Sequence, residues 1–172
     1  LKDGGIYMKK LILLIAIFLA GAMSYSKSDK EEKPNENKKI NAPASSNIKE
    51  ENYEAGMVQR MEAIKKEVQP ALNSGVTADM NDAIQKLGES WETEMRKIYD
   101  LLLSELPKKE KVELQEEQEK WAKKIKEEIA KDAEELKRGT TGTFNVLGTA
   151  LGNTEKRALE LAKRYDQLHP KK

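Results

Sequence analysis

The sequence predicts an all-α fold, a small bundle built on a long antiparallel helical hairpin. Three observations support this class. After residue 50, apolar residues recur every three or four positions, and no stretch keeps the alternation of a strand. Charged residues make up 35% of the 172 residues and aromatic residues 5%, which is typical of long exposed helices around a thin core. Proline and glycine stand where such helices would break.

The composition argues against several kinds of functional site. The chain has no cysteine, which excludes a disulfide scaffold, a thiolate metal site, a cysteine nucleophile and a Cys-anchored lipoprotein. Its single histidine argues against a Ser-His-Asp triad and a multi-histidine metal site. Lys plus Arg total 31 and Asp plus Glu total 30, so no charge excess favours nucleic acid. We therefore expect no metal, no cofactor and no nucleic-acid partner.

The N-terminal segment has the layout of a secretory signal. Met8 is followed by two lysines, the apolar run 11–20 and the small-residue exit 21–24. The apolar run is short for a bilayer span, which takes about 20 residues. We predict a signal peptide over residues 8–26, export to the periplasm or the medium, and no membrane contact after cleavage. An uncleaved anchor or a buried helix is the alternative.

The segments on either side of this signal are predicted to lie outside the folded domain. Residues 4–8 can be encoded by a purine-rich ribosome-binding site and a start codon, so residues 1–7 are interpreted as an over-extended bacterial gene start. Residues 27–52 are rich in Lys, Glu, Asn, Ser and Pro, and such a segment is predicted to be a disordered linker. Loss of residues 1–26, with three basic residues and one acidic residue, changes the net charge from +1 to −1.

The remaining residues, 53–172, are predicted to form the helical domain. A first helix runs from about residue 51 to residue 72 and should end or kink at Pro70. Its predicted apolar stripe consists of Val58, Met61, Ile64 (or Lys65) and Val68.

The second helix carries the longest apolar stripe. Thr77 or Asp79 is expected to cap its start, and Pro107 should end it. The stripe is spaced by three and four residues along one face. It consists of Met80, Ile84, Leu87, Trp91, Met95, Ile98, Leu102 and Leu106.

A third helix is predicted over residues 107–138. Its stripe consists of Leu114, Gln118, Trp121, Ile125, Ile129 and Leu136. The opposite face carries Glu–Lys and Glu–Arg pairs four residues apart, and such pairs stabilise an isolated helix by about 0.2–0.5 kcal/mol each. Because both signs of charge are mixed there, the face is interpreted as solvated rather than as a binding patch.

The segment 139–153 has a different character, because it is uncharged and rich in Gly and Thr. It is predicted to be a loop, and it lacks the Gly-Lys-Ser/Thr ending of a phosphate-binding loop. The apolar side chains of Phe144, Val146 and Leu147 either pack back onto the bundle or form a protein-contact loop. A last helix is expected from Asn153 or Thr154 to Leu168, with Ala158, Leu161, Tyr165 and Leu168 as its stripe and His169 as an exposed terminal residue.

The helical segment resembles the lysozyme inhibitor LprI family over residues 77–161. The matching pieces are Thr77-Ala-Asp-Met-Asn81, Trp91 through Tyr99 with Leu102, Leu114-x-x-x-Gln118-x-x-Trp121, the Gly/Thr segment, and Thr154-x-x-Arg157-x-x-x-Leu161. The chain is a cysteine-free variant, because Ile129 and a residue near Leu151 stand where the family usually has cysteines. Ile125 and Lys126 stand where the family usually has an Arg-Asp pair.

The signature residues of this resemblance are interpreted as a structural polar lock rather than an active site. Gln118 and Trp121 share one helix face, and an unpaired buried amide costs about 1–3 kcal/mol. The partners considered for Gln118 are Tyr99, Thr154 and Arg157. The full set is Tyr99, Leu114, Gln118, Trp121, Thr154 and Arg157.

The function predicted from these observations is protein binding. An enzyme is disfavoured, since the carboxylates lie beside lysines on faces expected to be exposed and no nucleophile stands next to a base. The resemblance implies lysozyme as a partner, with inhibition protecting peptidoglycan. The charge of −1 would not steer a cationic lysozyme toward the protein. The alternative is a structural or assembly protein of the bacterial envelope without lysozyme inhibition, for which a homodimer through the apolar stripes is one form.

Overall fold

The computed structural model of the protein describes residues 52–136 and 142–170, which form helices and contain no strand. The helices are α1 (Tyr53–Leu72), α2 (Thr77–Glu105), α3 (Lys108–Leu136) and α4 (Gly142–Leu168). This confirms the predicted all-α bundle. The predicted start extension, the signal peptide and the linker up to residue 51 lie outside the described residues.

Helices α1 and α2 run antiparallel. A hydrogen-bonded ion pair joins Arg60 of α1 to Glu94 of α2, with 2.8 Å between Nη2 and Oε2. Nearer the connecting turn, Lys86 Nζ lies 2.5 Å from Glu67 Oε1. One pair is far from the turn on both helices and the other is close to it on both, as an antiparallel arrangement requires.

Helices α2 and α3 form the predicted antiparallel hairpin, and α4 lies along both of them. Gln118 of α3 and Met95 of α2, about equally far from the turn, meet with 4.0 Å between Nε2 and Sδ. Asn153 of α4 donates to Glu128 of α3 at 3.1 Å, and Arg157 donates to Gln118 at 2.9 Å. Later residues of α4 thus meet earlier residues of α3, so α4 is antiparallel to α3 and parallel to α2. The two hairpin helices contact each other less than each contacts α4.

The core consists of two clusters of buried apolar side chains. The main cluster joins α1, α2 and α4, and Leu114 is its buried residue from α3. A smaller cluster joins α3 and α4 through Ile125, Ile129, Val146 and Ala150. The predicted α2 stripe is buried from Ile84 to Leu106, and Met80 is half-buried.

In α1 the predicted stripe is wrong at one position. Val58 is exposed, and the fully buried Met57 takes its place ahead of Met61. Pro70 does not end α1, which continues to Leu72. Pro70 therefore lies inside the helix, which lacks one hydrogen bond there because proline has no N–H to donate to the Lys66 carbonyl.

The turn between α1 and α2 also differs from the prediction. Neither Thr77 nor Asp79 caps α2, because Val76 is the N-cap residue and makes no side-chain cap hydrogen bond. The chain reverses through Gly75, whose φ of 73° is a left-handed conformation that glycine adopts without strain. The Ser74 hydroxyl accepts a hydrogen bond from the Val76 amide at 3.0 Å.

The predicted loop ahead of the last helix is wrong over its described part, because α4 begins at Gly142. Val146 packs against Ile125 and Ile129 of α3, and this burial stabilises a helix in a segment whose Gly and Thr content disfavours one. Gly139, predicted to end the preceding helix, lies outside the described residues.

The start of α1 is fastened to the end of α4. The Asp166 carboxylate accepts hydrogen bonds from the backbone amides of Tyr53 and Glu54, at 2.7 and 3.0 Å. The Asn52 side chain accepts from the Ala55 amide at 2.6 Å. Asn52, predicted as the last linker residue, is therefore the N-cap of α1.

The C-terminal end of α4 also contacts the end of α2. Tyr165 Oη donates to Glu105 Oε1 at 3.2 Å. His169 is exposed, as predicted, and its Nε2 lies 2.9 Å from the other Glu105 oxygen. These contacts place the last turns of α2 and α4 side by side.

Candidate functional site

Gln118 is a buried polar side chain at the centre of the bundle, only 1% exposed. Its Oε1 accepts a hydrogen bond from Arg157 Nε at 2.9 Å, and its Nε2 faces Met95 Sδ at 4.0 Å. The amide of α3 therefore has a partner on α4 and another on α2. Of the partners considered from the sequence, Arg157 is the one that forms a short hydrogen bond with Gln118.

The Arg157 guanidinium contacts two carboxylates nearer the surface as well as this buried amide. Its Nη2 lies 3.5 Å from Glu117 of α3, and its Nη1 lies 3.4 Å from Glu160 of α4. Arg164 Nη1 reaches the same Glu117 oxygen at 3.5 Å. Two arginines of α4 thus share one carboxylate of α3, and the network connects the two helices.

Tyr99 lies buried in α2. Burial, together with the negative charges of Asp100 and Glu119, raises the pKa of Tyr99 to about 12, and the positive charge of Arg157 opposes this shift. The phenol is therefore protonated at neutral pH. Its position near the charge of Arg157 brings a third signature residue to the same part of the bundle.

The other three signature residues form no hydrogen bond with Gln118 that the structure shows. Leu114 is fully buried in the main cluster. Trp121 is half-buried and packs against both clusters. The Thr154 hydroxyl donates to the Ala150 carbonyl at 2.9 Å within α4, so Thr154 is neither the helix cap nor the partner of Gln118.

A second polar centre was not predicted from the sequence. Glu94 of α2 is buried and accepts hydrogen bonds from Arg60 Nε at 3.3 Å, Arg60 Nη2 at 2.8 Å and Lys97 Nζ at 3.0 Å. Burial alone would raise the pKa of the Glu94 carboxyl, but the hydrogen bonds and charges of Arg60 and Lys97 outweigh it and lower that pKa. The Arg60 guanidinium also lies 5.6 Å from the centroid of the Tyr53 ring.

Of Phe144, Val146 and Leu147, the last two pack back onto the bundle, which is the first of the two alternatives predicted from the sequence. Val146 and Leu147 are buried in α4, whereas Phe144 is 42% exposed. A helix turns successive side chains by about 100°, so one segment can present Phe144 outward while Val146 and Leu147 face α3 and the core. Of these three residues, Phe144 alone is exposed enough for contact.

Ile129 and Leu151, which lie at or near the positions where the family usually has cysteines, do not pack in one cluster. Ile129 belongs to the smaller cluster with Val146, and Leu151 packs against the main cluster. The two side chains expected near the family's cysteine positions therefore stabilise different parts of the bundle.

Residues 52–136 and 142–170 show neither a metal-binding cluster nor a membrane-spanning helix. Over these residues no group of three or more His, Asp or Glu side chains is placed to hold a metal ion. None of the helices in the same ranges combines the length and the apolar character that crossing a membrane requires.

Comparison with known proteins connects the chain to a family. The family model described as lysozyme inhibitor LprI matches residues 68–161, more than half of the chain. The matched range contains all six signature residues, as well as Glu94 and Lys97. No match was found among curated proteins or among solved structures.

Proposed function

Because the chain belongs to the lysozyme inhibitor LprI family, we propose that it is an exported helical module that binds lysozyme and inhibits it. The observation that carries the proposal is the family match over residues 68–161, which includes all of α2 and α3 and most of α4. Inhibition would protect peptidoglycan from hydrolysis.

The position of the signature residues supports a division between scaffold and contact surface. Leu114 and Gln118 are buried, and the Arg157 guanidinium is occupied by Gln118, Glu117 and Glu160. Side chains held in this way stabilise the bundle and offer little area to a partner. The surface that contacts lysozyme therefore consists of other, exposed residues.

Export is part of the same proposal, since an inhibitor must meet lysozyme outside the cytoplasm. The basic start, apolar run and small-residue exit over residues 8–26 support it. Mass determination of the protein recovered from the periplasm or the medium would give the cleavage site.

A lysis assay tests the inhibition directly. The exported chain, purified after processing, is added in increasing amounts to lysozyme acting on a suspension of bacterial cell walls, and turbidity is followed. We expect the clearing rate to fall as the chain approaches and exceeds the lysozyme concentration. An unrelated helical protein of similar charge serves as the control.

Unchanged clearing at a large molar excess of folded chain would contradict the proposal. A circular dichroism spectrum of the same sample establishes that the chain is folded. The alternative hypothesis would then be a structural or assembly role in the envelope. A mass from size-exclusion chromatography would show whether the binding partner is a second copy of the chain.

A further inference from the structure

The only histidine of the chain lies directly after the last residue of α4, and each of its ring nitrogens has a partner. His169 Nδ1 lies 3.0 Å from the backbone carbonyl oxygen of Tyr165, and Nε2 lies 2.9 Å from Glu105 Oε2. A carbonyl oxygen and an ionised carboxylate both accept hydrogen bonds and cannot donate them. Both ring nitrogens must therefore carry a proton for the two hydrogen bonds to form, and this is the charged state of histidine.

The backbone at the end of α4 favours the same charged state. In a regular helix the Tyr165 carbonyl would accept from the amide four residues later. That amide, of His169, donates to the Asp166 carbonyl instead, at 3.1 Å. The His169 ring thus provides a donor to a carbonyl at the negative end of the helix, where a positive charge is stabilising.

The side chain of Tyr165 also favours a positive charge on His169. The two rings lie 4.4 Å apart between centroids at an interplanar angle of 34°, and a cation near the face of a tyrosine ring is attracted to it. The Tyr165 hydroxyl donates to Glu105 Oε1, so one carboxylate accepts from both side chains. Burial, the hydrogen bond to Glu105 and the charges of Glu105 and Asp166 raise the pKa of Tyr165, so the phenol keeps its proton while histidine titrates.

The last turn of α4 also holds the start of α1. Asp166 accepts hydrogen bonds from the Tyr53 and Glu54 amides, and the Tyr53 ring meets the Tyr165 ring edge-on, with 5.4 Å between centroids and an interplanar angle of 62°. A contact that fixes the end of α4 on α2 therefore also fixes the carboxylate and the ring that α1 contacts.

We propose that His169, with Glu105 and Tyr165, forms a pH-dependent latch that in its charged form holds the last turn of α4 on α2 and, through Asp166, the first turn of α1. Loss of the charge leaves one ring nitrogen with a lone pair facing an oxygen lone pair, and that hydrogen bond is lost. The latch thus stabilises this junction at acid pH, and the stabilisation disappears as the pH rises through the range of about 5 to 8 in which histidine titrates. The latch does not depend on the proposed binding of lysozyme.

Titratable groups from all four helices meet at this junction. They are Glu105 of α2, Tyr165 and Asp166 of α4, Tyr53 of α1 with Arg60 beside its ring, and Lys108 and Lys109 at the start of α3, where Lys109 pairs with Glu113 at 3.7 Å. Carboxyl, phenol, amine and guanidinium groups ordinarily titrate outside the range of about pH 5 to 8. A change of pH within this range therefore tests His169.

Urea unfolding of the exported chain at pH 5.5 and at pH 8.5 measures the latch. We expect His169→Gln to raise the equilibrium constant for unfolding by about 3-fold or more at pH 5.5 and by less than about 1.5-fold at pH 8.5, a size that fits a partly exposed pair. Leu168→Gln, at the exposed neighbouring position, is the matched control and should have the same effect at both pH values. Equal effects of His169→Gln at the two pH values would overturn the latch.

Glu105→Gln separates the charge of this carboxylate from its role as an acceptor for Tyr165. The amide oxygen still accepts from the phenol, and the amide N–H can donate to an uncharged His169 ring. We expect this variant to be less stable than the natural chain at pH 5.5 but not at pH 8.5. Glu113→Gln removes an equal charge from an exposed pair near the start of α3 and should show no such difference. An equal loss at both pH values would show that Glu105 serves only as an acceptor.

Nuclear magnetic resonance tests the connection to α1. Because the chain has one histidine, its ring gives a single set of signals that can be followed from pH 5.5 to pH 8. We expect the amide signals of Tyr53 and Glu54 to move with the same midpoint as the His169 ring, and to stay in place in His169→Gln. Amide signals that do not follow His169 in the natural chain would overturn the connection. Circular dichroism establishes that each variant is folded.

Discussion

Gln118 and Glu94 show two ways in which a buried polar side chain connects helices. The Gln118 amide accepts a hydrogen bond from Arg157 of α4, while the Glu94 carboxylate is paired with Arg60 of α1. Both sites satisfy groups that would be costly to bury alone. The two polar contacts fasten α4 and α1 to the hairpin.

Removing the Gln118 amide should lower stability. In Gln118→Ala, Arg157 Nε loses its acceptor and the core gains a cavity, so we expect a loss of about 1–3 kcal/mol in the free energy of unfolding. Urea unfolding followed by circular dichroism measures it. Gln167→Ala, at an exposed position of α4, is the control and should change stability little. Equal effects of the two substitutions would contradict the polar-lock interpretation.

Glu94 should make folding dependent on pH in the acid range. Since its pKa is lowered in the folded chain, the carboxylate stabilises the fold above its ordinary pKa, and this contribution is lost as the pH falls through the lowered value. Glu94→Gln should therefore reduce stability at pH 7 and flatten its decrease toward acid pH.

Urea titrations from pH 7 to pH 3 measure the effect of Glu94→Gln. Glu62→Gln is the control, because the Glu62 pair with Lys65 is more than half exposed on both sides and contributes little. A pH profile that Glu94→Gln leaves unchanged would show that other carboxylates control the acid range.

The sequence predicts the polar contact of Gln118 but not the ion pair of Glu94. Gln118 can be identified because its spacing places an amide within an apolar stripe, and Arg157 was among three partners considered. Glu94 also lies on the inner side of α2, yet its partner Arg60 is 34 residues away on another helix. Helical periodicity gives the direction of a side chain but not its partner, so the ion pair could not be predicted.

Among the helices, α4 is the one in which the amino-acid composition most disfavours a helix that the packing nevertheless stabilises. Gly148 and Gly152 lie within this helix, where glycine costs about 1 kcal/mol relative to alanine. Burial of Val146 and Ala150 against α3 offsets this cost. The predicted helix start is therefore wrong, because the stabilising contacts come from residues of α3.

Glycine substitutions should have opposite signs in a helix and in the turn. A Cβ at Gly88 in α2 would meet no atom within 4 Å, so Gly88→Ala should stabilise the protein by about 0.5–1 kcal/mol. Gly75→Ala should destabilise it, since the φ of 73° strains a residue with a Cβ. Thermal melts of both variants provide the measurement, and shifts in the same direction would contradict this account.

The smaller cluster predicts a local weakness in the second half of α3. Ile129→Ala should remove about 2–5 kcal/mol of packing from a cluster confined to α3 and α4. We expect faster amide hydrogen exchange in the second half of α3 and the first half of α4, with α1 and α2 protected as before. Uniformly faster exchange in all the described helices would show that the two clusters unfold as one unit.

For the whole molecule, the apolar stripes predict a bundle but not which helices pack most closely. Residues 106 and 107 are too few for anything but a sharp reversal, which makes the antiparallel hairpin predictable. The close parallel packing of α2 and α4 depends on the complementary shapes of two stripes, such as those around Ile98 and Ala158. A stripe shows that a face is buried without showing what covers it.

Charge balance predicts how the protein should associate with lysozyme if the proposed function is right. The chain after residue 26 has a net charge of −1, which creates little long-range attraction. We expect the association rate, measured by stopped-flow fluorescence, to change little between 20 and 200 mM salt. A steep fall with salt would show that charged surface residues guide binding.

The hydrogen bonds of Asp166 have a consequence for the connectivity of the fold. They hold the first turn of α1 against the last turn of α4, so a short linker between residues 170 and 52 would close the four described helices into a ring. The chain could then be opened at Gly75 instead. A circular permutant of this kind would keep every helix pairing and would present two free ends where the natural chain has its exposed turn.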